Sequence, residues 1–505
     1  MFCAIRPVVV NTSGILCILV GLEQRTMNRN ILTKLLPAAA LALLALPVKA
    51  QQKAGTTPNI VFILADDLGY GDLSAYGQQK FSTPNIDQLA KQGMRFTQFY
   101  AGTSVCAPSR ASLVTGLHTG HTFIRGNKEI QPEGQQPIAD TVVTIMEVLK
   151  KAGYTSGIFG KWGLGPVGSS GDPLKQGTDR FYGYNCQRES HRYFPTHLWD
   201  NETKVVLPEN GQLERMSTYA PDMIQAQALR FLEENKSKPF FLYLTYTLPH
   251  AELQVPDDSL FQHFKGKFAE KPYKGNDYGP KATVPGYASQ VYPHATFATM
   301  MTRLDNYVGE VMAHLKALGL DKNTLVIFTS DNGPHTEGGA DPAFFNSAGG
   351  FRGVKRDLYE GGIREPFIAR WPGKIKAGST NAFQGAFWDI MPTLAQLTKA
   401  PAMPYTDGVS LLPTLTGGKG QQQHPYLYWE FHEDGGRQAV RRGNWKAVRQ
   451  KAQQHPDAAV ELYDLTTDPA ETKNVAATHP DIARKMEGYM KEAHVETALY
   501  PFFSF

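Results

Sequence analysis

Four short apolar runs, each followed by polar residues, constrain most strongly how this 505-residue chain folds. The runs span residues 59–65, 155–160, 240–245 and 325–329. Near-continuous apolar strands are typical of a sheet that is buried on both faces. Helical patterns alternate with the runs, so we predict an α/β fold with a doubly wound, mostly parallel central sheet.

The polar residues that follow the runs are candidates for a functional site, because open α/β sheets bind ligands at the carboxyl ends of their strands. These residues are Asp66 and Asp67, Lys161, His250, and Asp331 with Asn332. Three carboxylates and an amide oxygen form a hard ligand set that suits Ca²⁺ or Mg²⁺. Two adjacent aspartates reach one ion only if the strand ends there and the chain turns. Ordinary Asx turns at two strand ends are the alternative.

Residues 106–116, CAPSRASLVTG, combine a cysteine with the signals that start and stop a helix. Pro108 favours the first turn and Gly116 favours the end. Cys106 is therefore predicted at a helix N-terminus, where the dipole favours an anion and lowers the pKa of a thiol. Arg110, one turn later, can face the same point. A buried structural cysteine beside a helix cap is the alternative.

Charge and composition exclude several classes of protein. Lys and Arg number 51 and Asp and Glu 47, so the net charge of +4 is too small to indicate nucleic-acid binding. The length exceeds one ordinary domain. A Gly- and Gln-rich break at 417–423 indicates a boundary between a catalytic domain, residues 56–415, and a smaller C-terminal α+β subdomain, residues 424–505.

Residues 1–50 are interpreted as an N-terminal extension and signal peptide, with translation starting at Met27. Basic residues precede an apolar stretch at 35–46, and small residues follow at 48–50. The stretch is short for a membrane span, although a retained anchor is the alternative. We predict an exported protein, periplasmic or extracellular, without stable membrane association after cleavage.

The string at 106–116 resembles the sulfatase signature, Cys-x-Pro-Ser-Arg with a Thr-Gly close. Further segments resemble the same family across nearly the whole mature chain: 59–67, 160–162, 249–250, 330–333, 352–364, 407–411 and 461–465. The chain is identified as a member of the type I, formylglycine-dependent sulfatases of the arylsulfatase kind, with an alkaline-phosphatase-like fold. The resemblance implies sulfate ester hydrolysis and a maturase that oxidises Cys106 to formylglycine.

The resemblance also implies roles for single residues. The metal ligands would be Asp66, Asp67, Asp331 and Asn332, together with the modified Cys106. Arg110 would hold the formylglycine hydrate. Lys161 and Lys355 would bind sulfate oxygens and stabilise the charge that develops in the transition state. His250 would donate a proton to the leaving sugar oxygen.

One position departs from the family. Gly163 follows Lys161 and Trp162 where the family has a histidine that contacts the formylglycine. Another group must take over that contact, or the step is slower; the candidates are His118, His121, His191 and His335. We predict His191, because it lies in the aromatic-rich loop 181–199 that should border the site.

A sulfated carbohydrate is the expected substrate, since two polar segments with aromatic residues fit a sugar site. Their candidate substrate-binding residues are His191, Arg192, His432 and Arg441. The resemblance implies glycosaminoglycan or algal polysaccharide fragments, here with galactose or N-acetylgalactosamine 4-sulfate. The alternatives are a phosphatase or phosphodiesterase of the same superfold, and an inactive sulfoglycan-binding relative.

Overall fold

The four apolar runs are neighbouring strands in the computed structural model, which describes residues 57–284, 286–401 and 404–503. The strands are β1 (Asn59–Asp66), β3 (Thr155–Lys161), β7 (Phe240–Pro249) and β8 (Thr324–Ser330). β1 pairs in parallel with β7 and β8, and β3 pairs in parallel with β7. The carboxyl ends of all four strands therefore lie at one edge of the sheet, as predicted.

The central sheet has 11 strands, in the order β10-β2-β9-β8-β1-β7-β3-β4-β5-β6, with β11 beside β2. The remaining strands are β2 (Met94–Tyr100), β4 (Arg180–Tyr184), β5 (His197–Asp200), β6 (Thr203–Val206), β9 (Arg364–Arg370), β10 (Ser379–Asn381) and β11 (Gly385–Ala386). β9 runs antiparallel to β2 and β8. The predicted loop at 181–199 begins in β4 and ends in β5, and these two strands extend the sheet together with β6. The short, partly exposed β6 has little apolar signal that could have predicted it.

Both faces of the sheet are buried, because alternate residues of β1 enter two separate cores. Val61 and Ile63 belong to one apolar cluster, whereas Phe62 and Leu64 belong to the other. The helices are α1 (Pro84–Gln92), α2 (Cys106–Thr115), α3 (Ile145–Lys151), α4 (Ala220–Asn235), α5 (Ser259–Phe264), α6 (Pro293–Ala317), α7 (Pro342–Phe345), α8 (Glu360–Ile363), α9 (Ile390–Thr398), α10 (Leu412–Thr416) and α11 (Pro480–Ala493). α1, α4 and α6 cover the first face, and α2, α3 and α9 cover the second. The sheet is therefore doubly wound, as predicted.

The C-terminal part forms a separate antiparallel sheet of four strands, which confirms the predicted α+β subdomain. The strands are β12 (Leu427–Phe431), β13 (Arg437–Arg442), β14 (Trp445–Gln450) and β15 (Glu461–Asp464). α11 packs Met486 and Met490 against one face. A turn at Gly443, with φ +59°, joins β13 to the antiparallel β14.

The predicted signal peptide, residues 1–50, and the start at Met27 lie outside the described residues. Within the described ranges, no helix combines the length and the apolar character that crossing a membrane requires. The domain boundaries at 415 and 424 remain predictions.

Candidate active site

The two adjacent aspartates lie where the first strand ends and the chain turns. Asp66 is the last residue of β1, and Asp67 adopts a left-handed conformation with φ +60°. Both side chains are completely buried. Close packing in the following turn excludes a side chain at Gly69, since a Cβ there would lie 2.2 Å from the carbonyl oxygen of Ser347. This geometry confirms the expected strand end and turn.

The end of β8 supplies a second set of oxygen ligands beside the first. The Asp67 backbone N–H donates to Asp331 Oδ1 at 3.0 Å. The Asn332 amide donates from Nδ2 to Asp67 Oδ1 at 2.7 Å, and its Oδ1 is buried without a hydrogen-bond partner among the described residues. The two pairs of predicted metal residues therefore lie together, although one pair is more than 260 positions from the other in the chain.

Cys106 is the first residue of α2 and faces these carboxylates. Its Sγ lies 3.5 Å from Asp66 Oδ1 and 3.9 Å from Asp67 Oδ1. Arg110, one turn later, donates from Nε to Asp331 Oδ2 at 2.9 Å and from Nη1 to the Lys161 carbonyl oxygen at 2.8 Å. Arg110 therefore ties the helix to the ends of β3 and β8.

The predicted lowering of the Cys106 pKa is wrong for the plain thiol. Burial raises the pKa of Cys106 well above its usual value, even though the positive charge of Lys161 lowers it. Cys106 is only 3% exposed, so loss of solvation outweighs the favourable helix N-terminus.

Two lysines and a histidine lie next to the aspartates. Lys161 Nζ lies 2.7 Å from Asp66 Oδ2, and Lys355 Nζ lies 2.9 Å from Asp67 Oδ2. Lys355 Nζ also lies 2.9 Å from His250 Nε2, which is 3.3 Å from Asp67 Oδ2. The ammonium groups of Lys161 and Lys355 are buried and held by these contacts, so their positive charges have fixed positions.

The electrostatics of the carboxylates indicate a place for a cation. Burial would raise the pKa of Asp66, but the positive charge of Lys161 holds it well below its usual value. Lys355 lowers the pKa of Asp67 in the same way, against the effect of burial. Burial and the Asp66 charge raise the pKa of Asp331 to about 7. A divalent cation would relieve this repulsion between carboxylates.

The donor set fits an oxygen-ligated divalent cation. Ligand atoms of Asp66, Asp67, Cys106 and His250 lie within 4.8 Å of one another. The unpartnered Oδ1 of Asn332 is a buried acceptor that an ion would satisfy. Asp66, Asp67 and residue 106 would hold the metal in this arrangement, and the roles of Asp331 and Asn332 as further ligands stay predictions.

The predicted substrate-binding residues divide into two groups. The His191 ring stacks on His250, with 5.2 Å between ring centroids and an interplanar angle of 8°, so His191 borders the site. The other three make internal contacts: Arg192 pairs with Glu252 at 2.8 Å, His432 Nε2 lies 2.8 Å from Glu430, and Arg441 bonds Gln98 and Gly443. Contact between these three and a substrate stays a prediction.

Sequence reasoning missed Glu337. Its carboxylate lies 2.9 Å from Lys355 Nζ and 2.6 Å from Arg356 Nη1, so Lys355 contacts Glu337 as well as Asp67. Glu337 follows the predicted metal ligands Asp331 and Asn332 by only a few residues, and this proximity could have indicated it as a site residue.

Comparison with known proteins matches residues 58–400 to the sulfatase family model, and residues 351–496 to the C-terminal model of N-sulphoglucosamine sulphohydrolase. Human arylsulfatase A is 34% identical, with 88% of this chain and 89% of that protein covered. N-acetylgalactosamine-6-O-sulfatase of Bacteroides thetaiotaomicron is 31% identical, with coverage of 91% and 98%.

Among solved structures, a Bacteroides thetaiotaomicron protein described under the metabolism of multiple glycosaminoglycans superposes with a TM-score of 0.70. It is 29% identical, with 87% of this chain and 99% of that chain covered. The family match extends over the strand ends, the cysteine helix and both lysines described above. The chain therefore belongs to the sulfatase family and is a sulfuric ester hydrolase of the type I, arylsulfatase-like kind.

Proposed function

We propose that residue 106, converted to formylglycine, is the nucleophile of a carbohydrate sulfatase with one divalent cation, Ca²⁺ or Mg²⁺. The observation that supports this most strongly is the position of Cys106: buried at a helix N-terminus, 3.5 Å from Asp66, and flanked by two lysines. When bound, the cation and the aldehyde hydrate would supply a nucleophilic hydroxyl directed at sulfur.

The protein's own side chains would bind and orient the sulfate. Lys161 and Lys355 hold their ammonium groups on either side of the aspartate pair, where they can bind sulfate oxygens. Positive charge fixed before the substrate arrives stabilises a transition state without reorganisation. Arg110 holds the helix that carries residue 106 and offsets the charge of Asp331.

We infer that His250 gives a proton to the leaving oxygen. Its Nδ1 faces the carbonyl oxygen of Ala251, which fixes the ring. Nε2 then faces Lys355 and Asp67, on the side where the sulfate ester would lie. Burial and the positive charge of Lys355 lower the pKa of His250 to about 4, so Nε2 would accept a proton from the Lys355 ammonium, 2.9 Å away, as it gives one to the leaving oxygen. A sugar alkoxide is a poor leaving group, so this transfer would accelerate its departure.

The proposed substrates are sulfate esters of galactose or N-acetylgalactosamine in glycosaminoglycan or algal polysaccharide fragments. The Bacteroides relative is named for N-acetylgalactosamine 6-sulfate, whereas the sequence led us to expect the 4-sulfate. The leader-like residues 1–50 support export to the periplasm or the extracellular space, which N-terminal sequencing of the secreted protein would test.

The experiment is a panel of sulfated sugars assayed with protein that has been co-expressed with a formylglycine-generating maturase. The panel contains galactose and N-acetylgalactosamine with sulfate at position 4 or 6, a phosphate monoester and a phosphodiester. Release of sulfate from one class of sugar supports the proposal. Turnover of the phosphate esters alone would favour a phosphatase of the same fold, and sugar binding without turnover would favour an inactive binding protein.

A further inference from the structure

The side chain of Gln187 occupies the space into which a side chain at position 163 would extend. Gly163 has a φ of +75°, and a Cβ built on it would lie 2.1 Å from Gln187 Nε2 and 2.9 Å from Gln187 Cδ. The missing family histidine therefore leaves no hole, because a residue 24 positions later fills its place.

The Gln187 amide is buried without any hydrogen-bond partner in the described part of the chain. The residue is 5% exposed, and neither Nε2 nor Oε1 has a partner. Buried amides are almost always paired, and an unpaired one costs free energy. The amide therefore has an Nε2 group that can donate hydrogen bonds and an Oε1 atom that can accept them, and a ligand could satisfy both.

Gln187 lies between two parts of the catalytic machinery. Gly163 comes two residues after Lys161, and its N–H donates to the Asn185 carbonyl oxygen at 3.0 Å. Four residues beyond Gln187, the His191 ring stacks on His250. The Gln187 backbone is fixed, since its N–H donates to Gln135 Oε1 at 3.0 Å and its carbonyl accepts from Ser190 Oγ at 2.6 Å.

We propose that Gln187 is a substrate-binding residue, whose amide contacts the sulfated sugar beside Lys161. Nε2 donates to a ring or hydroxyl oxygen of the sugar, and Oε1 accepts from a sugar hydroxyl. A carbohydrate sulfate offers both partners, whereas the aryl ring of an aryl sulfate has no hydroxyl. This inference rests on the proposed carbohydrate sulfatase function, and it names a determinant of sugar over aryl substrates.

The first test compares Gln187→Leu with the parent on a sulfated sugar and on p-nitrophenyl sulfate. We expect kcat/KM to fall about 10- to 100-fold on the sugar, as for loss of two hydrogen bonds, and less than about 3-fold on the aryl sulfate. Sugar binding in the Cys106→Ala background, measured by calorimetry, should weaken by a similar factor. Gln176→Leu is the matched control, because Gln176 is another buried glutamine with an unpartnered amide oxygen.

The second test uses the contact between positions 163 and 187. Gly163→His alone should lose activity because the new side chain collides with Gln187. Adding Gln187→Ala should recover part of that loss, which a purely additive pair would not show. Melting temperatures of all variants separate these effects from a loss of folding.

The inference is overturned if Gln187→Leu keeps sugar turnover and sugar binding within about 2-fold of the parent. Equal losses on sugar and aryl sulfate would also overturn it, since they would indicate a structural role. A converted parent that acts on no sulfated sugar would overturn the proposed function and this inference with it.

Discussion

Two buried charge clusters in this protein have similar electrostatics but different positions. The catalytic cluster consists of Asp66, Asp67, Asp331, Arg110, Lys161 and Lys355. The junction cluster consists of Glu360, Glu471, Lys446, Arg364 and Arg441. In each, burial and a neighbouring carboxylate raise the pKa of one acid to about 7: Asp331 in the first and Glu471 in the second.

The comparison shows that a perturbed pKa alone does not identify a site. The junction cluster connects the central sheet region to the C-terminal sheet, since Lys446 of β14 lies 3.1 Å from Glu360 and 3.0 Å from Glu471. The catalytic cluster lies instead at the carboxyl edge of four parallel strands, next to a cysteine and an amide oxygen without a partner. The position of a charge cluster in the fold therefore distinguishes a binding site from a structural contact.

The largest expected effect lies in the catalytic region. His250→Gln keeps a polar side chain but cannot donate the proton, so kcat on a sulfated sugar should fall about 10²- to 10⁴-fold. The loss on p-nitrophenyl sulfate should be below about 10-fold, because that leaving group departs without protonation. Steady-state kinetics on the two substrates measures the difference. Equal losses on both would contradict proton donation by His250.

The junction cluster should respond in stability rather than in turnover. Lys446→Met leaves Glu360 and Glu471 buried without the lysine that both contact. The free energy of unfolding should therefore fall by about 3–5 kcal/mol. Urea denaturation measures this change. The activity per folded molecule should stay within about 3-fold of the parent. If Lys446→Met lost turnover while its stability stayed unchanged, the purely structural role of the junction cluster would be contradicted.

Removal of the divalent cation should affect the catalytic cluster alone. Chelation should abolish sulfate release and lower stability by about 2.7 kcal/mol relative to ion at 100 times its Kd. Titration with Ca²⁺ or Mg²⁺ should restore both properties, and the ion that restores them at the lower concentration is the preferred one. Lys446→Met serves as the control, because its junction lies outside the ligand set and it should respond to chelation as the parent does. Turnover that persists after complete chelation would contradict a cation in this site.

The sequence could predict residues whose position follows from a local pattern. Asp66, Asp331 and Lys161 end apolar strands, and Cys106 starts a helix, so parallel strands bring them together. It could not predict contacts that depend on tertiary packing. Gln187 occupies the space next to Gly163 because a long loop brings it there.

Arg192 is a second example of a residue whose contacts depend on tertiary packing. The polar, aromatic-rich composition of its loop led us to predict substrate binding. Its guanidinium pairs with Glu252, 60 positions later, and donates to the carbonyl oxygens of Asn276 and Thr283, so its contact with a substrate stays a prediction. Loop composition shows that a segment is polar and aromatic, but it does not show which of its side chains face the ligand.

The most direct test of the account measures residue 106 and turnover in the same samples. Protein is prepared with and without the maturase, and the peptide that carries residue 106 is analysed by mass spectrometry alongside sulfate release from a sulfated sugar. Sulfate release should rise in proportion to the fraction converted to formylglycine, and Cys106→Ala should be inactive in both preparations. Full turnover by protein that retains an unmodified cysteine at position 106 would contradict the account.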